Sequence, residues 1–258
     1  VGTLILEKGI KIKSSQAMAL ASLGIATIKV YKKPIVGIIT TGDELLNPGE
    51  KLAGGKIYDS NKIFLKMRLS ELGCNVLFFG SIADDKKSIS EVISSAEKEC
   101  DILISTGGVS VGEKDLVKES VEAIGYKVLF WKVDIKPGSP MFAAVNNENK
   151  IYIGLSGTPV AAATTFELTV RGLIAKMLNC NELKLQEVYG IVQDEYTKVS
   201  RKRRFLRVKL KQEKENKVYI SRVYQSPGQI STMLGSNAIL EVPVDKALNK
   251  GDLVKVYK

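Results

Sequence analysis

Between residues 34 and 179 short apolar runs alternate with amphipathic stretches, and this rhythm restricts the fold more than any other feature of the chain. Runs at 35–40, 76–79, 102–105 and 128–131 read as strands, rich in Ile, Val and Phe. Helices are expected at 61–72, 88–99 and 114–124. In the first, Leu65, Leu69 and Leu72 share helical spacing before Gly73; the second opens on Ser88 with Glu91 three residues on, a capping-box pattern. Crossovers of this length predict a mostly parallel sheet flanked by helices on both faces. The runs 141–145 and 151–155 flank a polar turn, Asn146 to Asn149, and predict a hairpin on one sheet edge. A last helix is expected with Thr158 as cap and Pro159 at its first position, running to about Leu178.

After Asn179 the rhythm changes to short β-rich runs at 188–192, 205–210, 218–223, 239–242 and 253–257, with no helical period between them. They predict a small all-β, barrel-like domain. Residues 1–33 read as an appended piece, with Ser14 capping a helix whose Ala17, Leu20, Ala21 and Leu23 share a face and Gly24 stopping it. The expected division is 1–33, an α/β core at 34–180 and a β domain at 181–258.

The chain has no histidine, which excludes His-dependent triads, His-ligated zinc and imidazole acid–base catalysis. Its three cysteines, Cys74, Cys100 and Cys180, are too far apart for a metal knuckle or a disulfide framework. No apolar run is long enough to span a bilayer, so no membrane partner and a cytoplasmic address are expected. The net charge of +10 suits an anionic partner, but it comes from scattered lysines, and only Arg201 to Arg204 form a dense run. With Phe205 as its one aromatic neighbour, that run fits a small anion better than nucleic acid. The absence of His together with frequent Lys, Ile and Glu points to a thermophilic source.

In an open parallel sheet, ligands bind beyond the carboxyl ends of the strands. The segments expected there are Thr41-Gly42-Asp43-Glu44, Asp59-Ser60-Asn61, Asp84-Asp85, Thr106-Gly107-Gly108 with Ser110, Glu113 and Asp115, Lys136-Pro137-Gly138-Ser139, and Gly157-Thr158. Glycine-rich turns expose N–H groups that hold phosphate or another oxyanion, and Lys136 adds a point charge. The carboxylates would repel such an anion unless a divalent cation, ordinarily Mg²⁺, lies between them. Glu44, Glu113 and Asp115 are therefore candidates to manage a metal or an attacking water. A P-loop is excluded, since no G-x-x-x-x-G-K-[ST] occurs.

The motifs TTGDEL (40–45), IYDSN (57–61), STGGVSVGEKD (105–115), KPGSP (136–140) and GLSGTPVA (154–161) occur in the order of the MoeA-like molybdopterin molybdenumtransferases, which this sequence resembles. The likeness continues through RRFLRV (203–208) and GQISTML (228–234), and the same family includes the E domain of gephyrin. The resemblance implies insertion of molybdate into adenylylated molybdopterin, with Mg²⁺-dependent release of AMP. Asp115 and Glu44 would bind the metal or activate water. Gly42, Asp43, Asp59, Ser60, Asn61, Gly107, Gly108, Ser110, Gly138, Ser139, Gly157 and Thr158 would contact the substrate, and Lys136, Arg204 and Ser231 the molybdate. It also implies a homodimer, a molybdopterin adenylyltransferase as partner, and a chain lacking most of the family's N-terminal portion.

Two motifs depart from the family pattern. Ser139 stands where the basic loop usually has a second Lys, and Ser156 and Thr158 replace Pro and Asn. The alternative readings are a molybdopterin adenylyltransferase or CinA-like nucleotide-processing enzyme, and a non-catalytic scaffold on the same fold.

Overall fold

The computed structural model describes residues 2–82, 85–109, 116–213, 216–220 and 228–258. Helix α1 (Ser14–Ser22) precedes the core and ends before Gly24 as expected. Its N-cap residue is Lys13 rather than Ser14, with the Gln16 side chain accepting the Lys13 N–H at 3.1 Å. The shared apolar face does not become a buried one: α1 buries none of its residues.

The core runs β1 (Ile35–Thr41), β2 (Leu45–Leu46), β3 (Ile57–Tyr58), α2 (Ser60–Glu71), β4 (Asn75–Ile82), α3 (Lys86–Ala96), β5 (Ile102–Thr106) and α4 (Leu116–Ala123). It continues through β6 (Lys127–Trp131), β7 (Ile135–Lys136), β8 (Met141–Val145), β9 (Ile151–Leu155), α5 (Pro159–Thr165) and α6 (Arg171–Met177). A π-helical turn, Phe166–Val170, joins the last two. The first sheet has the order β4-β1-β5-β9-β8-β6, so the chain reverses its direction of winding at β1.

Pairs β4–β1, β1–β5 and β5–β9 are parallel, while β9–β8 and β8–β6 are antiparallel. The run at 128–131 is therefore not a member of the parallel set, and it forms the sheet edge outside the hairpin. Residues 132–140 are too few for a parallel crossover, which needs about a dozen residues or more, so the chain returns antiparallel.

Side chains alternate across the sheet. Ile102 and Ile104 pack with Leu65, Leu69, Ala162, Phe166 and Ile174 under α2, α5 and α6. Leu103 packs on the other face with Ile89, Ile93, Val117 and Val121 under α3 and α4. Helix α3 starts three residues earlier than the capping box at Ser88 predicts. Asp85 is its N-cap, in extended conformation, and its Oδ1 accepts the Ser88 N–H at 2.9 Å.

Strands β10 (Glu187–Val192), β11 (Arg203–Lys211), β12 (Lys217–Ile220), β13 (Ala238–Val242) and β14 (Leu253–Tyr257) close a five-stranded ring, with β12 paired to both β10 and β11. Leu206, Val208, Leu210, Leu240 and Val256 fill its core. One junction was not expected from the sequence: β7 leaves the first sheet's neighbourhood and pairs parallel with the start of β11. Among the described residues no helix is long and apolar enough to cross a membrane.

Candidate active site at the carboxyl edge of the sheet

Four turns meet where β1, β5 and β9 end. Thr41, the last residue of β1, is buried, and its hydroxyl donates to the Thr106 carbonyl at 3.5 Å. The Gly107 N–H donates to the Leu155 carbonyl at 3.2 Å. Gly107 has φ +90°, and a side chain there would collide with the Thr41 carbonyl oxygen, so only glycine lets β1 and β5 close together. Gly157 lies against it: a Cβ on Gly157 would stand 3.3 Å from the Gly107 Cα. Asn61, in the first turn of α2, donates from Nδ2 to the Gly157 carbonyl at 2.8 Å. Thr41, Gly107, Gly157 and Asn61 thus form one connected floor. The Gly107 N–H belongs to the protein's own hydrogen bonding, so what this residue offers a ligand is close approach rather than a donor.

The acidic residues surround that floor. The Glu44 carboxylate folds back over Gly42, 2.6 Å from where a Cβ would project, and the Gly42 N–H donates to the Ile82 carbonyl at 3.4 Å. Asp43 is exposed, and its carbonyl accepts Lys56 Nζ at 2.6 Å. Asp59 caps α2 through Oδ1, which accepts the Lys62 N–H at 2.9 Å, and Ser60 is the first residue of the helix. Asp59 Oδ2 is buried with no hydrogen-bond partner. Gly108 lies beside Thr41 Oγ1 and Val117, where it admits α4 to the sheet. Thr158 caps α5 without a side-chain bond, and its N–H donates to Ser156 Oγ at 3.2 Å. Ser110 and Asp115, with Asp84 and Glu113, lie outside the described residues.

The basic loop is closed on itself. The Val133 N–H donates to the Ser139 carbonyl at 3.0 Å, and the Ser139 hydroxyl donates to the Val133 carbonyl at 2.8 Å. Gly138 is buried against Thr165 and Ala161 of α5, while Lys136, the last residue of β7, is exposed. Its register partner is Arg204. Arg204 Nη1 donates to Tyr196 Oη at 2.8 Å, and its Nε is buried without an acceptor.

Ser231 is exposed on a 3₁₀ turn, Ile230–Met233. Its neighbour Thr232 is the buried hydroxyl, accepting Arg207 Nε at 3.0 Å and donating to the Gln229 carbonyl at 2.7 Å. Arg207 is 6% exposed, and burial pushes its guanidinium down to about 10. Sequence reasoning missed Arg207, Thr232 and Lys202, whose Nζ donates to Ser139 Oγ at 3.2 Å. Period-2 alternation along β11 would have separated Arg204 from Arg207, but nothing local marks Lys202. A cleft of about 390 Å³ opens between α2, α5 and the barrel with Arg68 and Arg207 in its walls; Gly107, Asn61 and Gly157 do not line it.

Among the described residues no three His, Cys, Asp or Glu side chains gather into a metal-binding group. Mg²⁺ does not require one, because it is ordinarily held by one or two carboxylates plus phosphate oxygens. Glu44, and the partnerless Asp59 Oδ2, are hard oxygen donors at the right edge, so the donor chemistry present suits that ion.

Residues 37–176 match the family described as "Probable molybdopterin binding domain". The chain belongs to that family. Its molybdopterin-binding domain is followed at 189–258 by a match to the MoeA C-terminal region, domain IV. A molybdopterin molybdenumtransferase from Haemophilus influenzae is 42% identical over 176 residues, which are 68% of this chain and 43% of that protein. One from Staphylococcus aureus is 33% identical over 242 residues, 94% of this chain and 58% of that protein. The chain therefore spans about half the length of these curated relatives. The crystal structure titled molybdopterin biosynthesis moeA protein from Pyrococcus horikosii superposes with TM-score 0.84 at 29% identity, covering 98% of this chain and 61% of that one. With the barrel matched as well as the molybdopterin-binding domain, the adenylyltransferase or CinA-like alternative is not favoured.

Proposed function

We propose that this protein inserts molybdate into adenylylated molybdopterin, with cleavage of the pyrophosphate bond and release of AMP. The observation that carries the reading is the connected floor of Thr41, Gly107, Gly157 and Asn61 at the carboxyl edge of the sheet, with the Glu44 carboxylate folded over the neighbouring Gly42. The matched relatives, named for this transfer, support it. The small residues admit a phosphate chain close to the backbone, and the N-terminus of α2 offers it the positive end of a helix. Glu44 and Asp115 would hold Mg²⁺, which when bound neutralises phosphate charge. Glu44 or Asp115 would orient the water that opens the pyrophosphate. Lys136 and Arg204 would hold the molybdate dianion, a task that suits fixed cations with N–H donors. On the family resemblance, the working state is a homodimer supplied with substrate by an adenylyltransferase, and the 34–180 core and 181–258 barrel act as separate units clasped by β7.

The test is AMP release from adenylylated molybdopterin in the presence of molybdate and Mg²⁺. AMP should appear with the unaltered chain and fall roughly 10²-fold or more with Glu44→Gln. Substrate that binds but yields no AMP would leave only a binding protein.

A further inference from the structure

We propose that the outer edge of β6 is a docking strip for an extended acidic segment of a partner protein, which adds to the first sheet as a further strand. β6 ends the strand order β4-β1-β5-β9-β8-β6 and pairs with β8 alone, so among the described residues its other flank has no neighbouring strand. Such an edge is a template for another chain. Here three large apolar side chains stand on it in succession: Leu129, Phe130 and Trp131, 59%, 39% and 40% exposed. Leu129 is the extra residue of a bulge. The register passes from Val128 opposite Ala144 directly to Phe130 opposite Ala143, so β8 makes no use of it.

The charge around the strip selects its occupant. Lys127 opens β6 and Lys132 follows it, both exposed. Lys132 Nζ lies 4.0 Å from the centroid of the Trp131 ring, and Nζ of Lys118 on α4 lies 5.6 Å from it. Lys118 is paired with Glu122 at 3.0 Å, but among the described residues no carboxylate pairs with Lys127 or Lys132. Two copies of the chain meeting antiparallel about Leu129 would set Lys127 of each against Trp131 of the other, which already carries two ammonium groups. The strips would repel, and edge lysines with a bulge are the ordinary device against self-pairing. An extended chain with carboxylates at alternate positions meets the lysines instead. Its apolar residues lie on Leu129, Phe130 and Trp131 while its backbone ladders along β6.

Trp131 is the only tryptophan of the chain, so its fluorescence reports on the strip directly. A blocked hexapeptide alternating glutamate and valine, titrated into the full chain, should shift that emission to the blue and saturate, and one alternating lysine and valine should not. Methylating every amide nitrogen of the acidic peptide removes its ladder donors and leaves its charges untouched, and should weaken binding roughly tenfold or more. Lys127→Glu combined with Lys132→Glu should weaken the acidic peptide roughly tenfold and admit the lysine one. Equal binding by the methylated peptide would reduce the contact to charge attraction alone, and no saturation below about 1 mM would mean no site. Either result overturns the inference. So does a dimer in sedimentation equilibrium that Leu129→Asp abolishes, which would assign the edge to a second copy.

Discussion

Lys136 and Arg204 stand opposite each other in the parallel strand pair that joins the α/β core to the barrel. The two cations are not equivalent. Arg204 is fixed by Tyr196 at 2.8 Å, whereas Lys136 is exposed. Arg204→Ala should cost about 1 kcal/mol of stability through the lost Tyr196 bond. Lys136→Ala should stay within about 0.5 kcal/mol of the unaltered chain. Both should depress molybdate-dependent AMP release, and Arg204→Lys should not rescue it, since a point charge cannot replace a fork that serves two partners. Urea denaturation beside the AMP assay checks this. Equal destabilisation by the two alanine variants would make Lys136 a structural strap instead.

The floor of the site is a packing arrangement before it is a binding one. Gly107→Ala puts a methyl group against the Thr41 carbonyl at φ +90°, and should cost roughly 2 kcal/mol. Asn61→Ala removes the donor to the Gly157 carbonyl, for about 1–3 kcal/mol. Because Gly157 touches both positions, the double variant should depart from the sum of the singles, by about 0.5 kcal/mol or more. Additive costs in a double-mutant cycle would show that the two turns are independent.

The parallel strands were legible because each is a closed apolar run ending at glycine or a hydroxyl residue, and their alternation alone assigns Ile102 and Ile104 to one face and Leu103 to the other. What sequence could not show depends on distant pairings. The edge position of β6 follows from a short return loop, and β7 finds β11 across more than sixty residues. Lys202 meets Ser139 at a separation of 63 residues, so no local motif announces it. One further contact escaped the sequence for a simpler reason. The contact joins Arg207 to the buried Thr232, and burial, unlike residue type, cannot be read from the run RRFLRV.

Acid should loosen α3 at its start. Hydrogen bonds from Ser88, from its hydroxyl first and then its N–H, hold the Asp85 carboxyl below its usual 3.8. A depressed carboxyl pKa stabilises the folded state fully above the unfolded value. That contribution is lost as pH falls through the still lower folded value. The Asp85 carboxyl carbon should thus titrate below 3.8 by NMR, and Asp85→Asn, which keeps an acceptor without the charge, should flatten the dependence of stability on pH in that range. A titration at or above 3.8 would mean that the cap does not persist in solution.

Behind the site, Glu167 on the π-helical turn ties two arginines together. Arg68 of α2 donates to it from Nε at 2.5 Å and Nη2 at 3.0 Å, and Arg171 from Nη1 at 3.2 Å. The Glu167 carboxylate holds the Arg68 guanidinium above its usual range. The side chains are 17%, 24% and 15% exposed, between surface pairs that contribute almost nothing and buried ones whose breakage is severe. Glu167→Gln keeps the shape and an acceptor but leaves two half-buried cations facing each other, and should cost about 2 kcal/mol. Since α2 carries Asn61 at its other end, the helix should shift and the Gly157 turn with it. AMP release should fall even at temperatures where the variant remains folded, and Arg68→Met combined with Glu167→Gln should recover much of the stability. A Glu167→Gln variant as stable as the unaltered chain would show that Arg68, with Glu71 still at 2.8 Å, needs no second carboxylate.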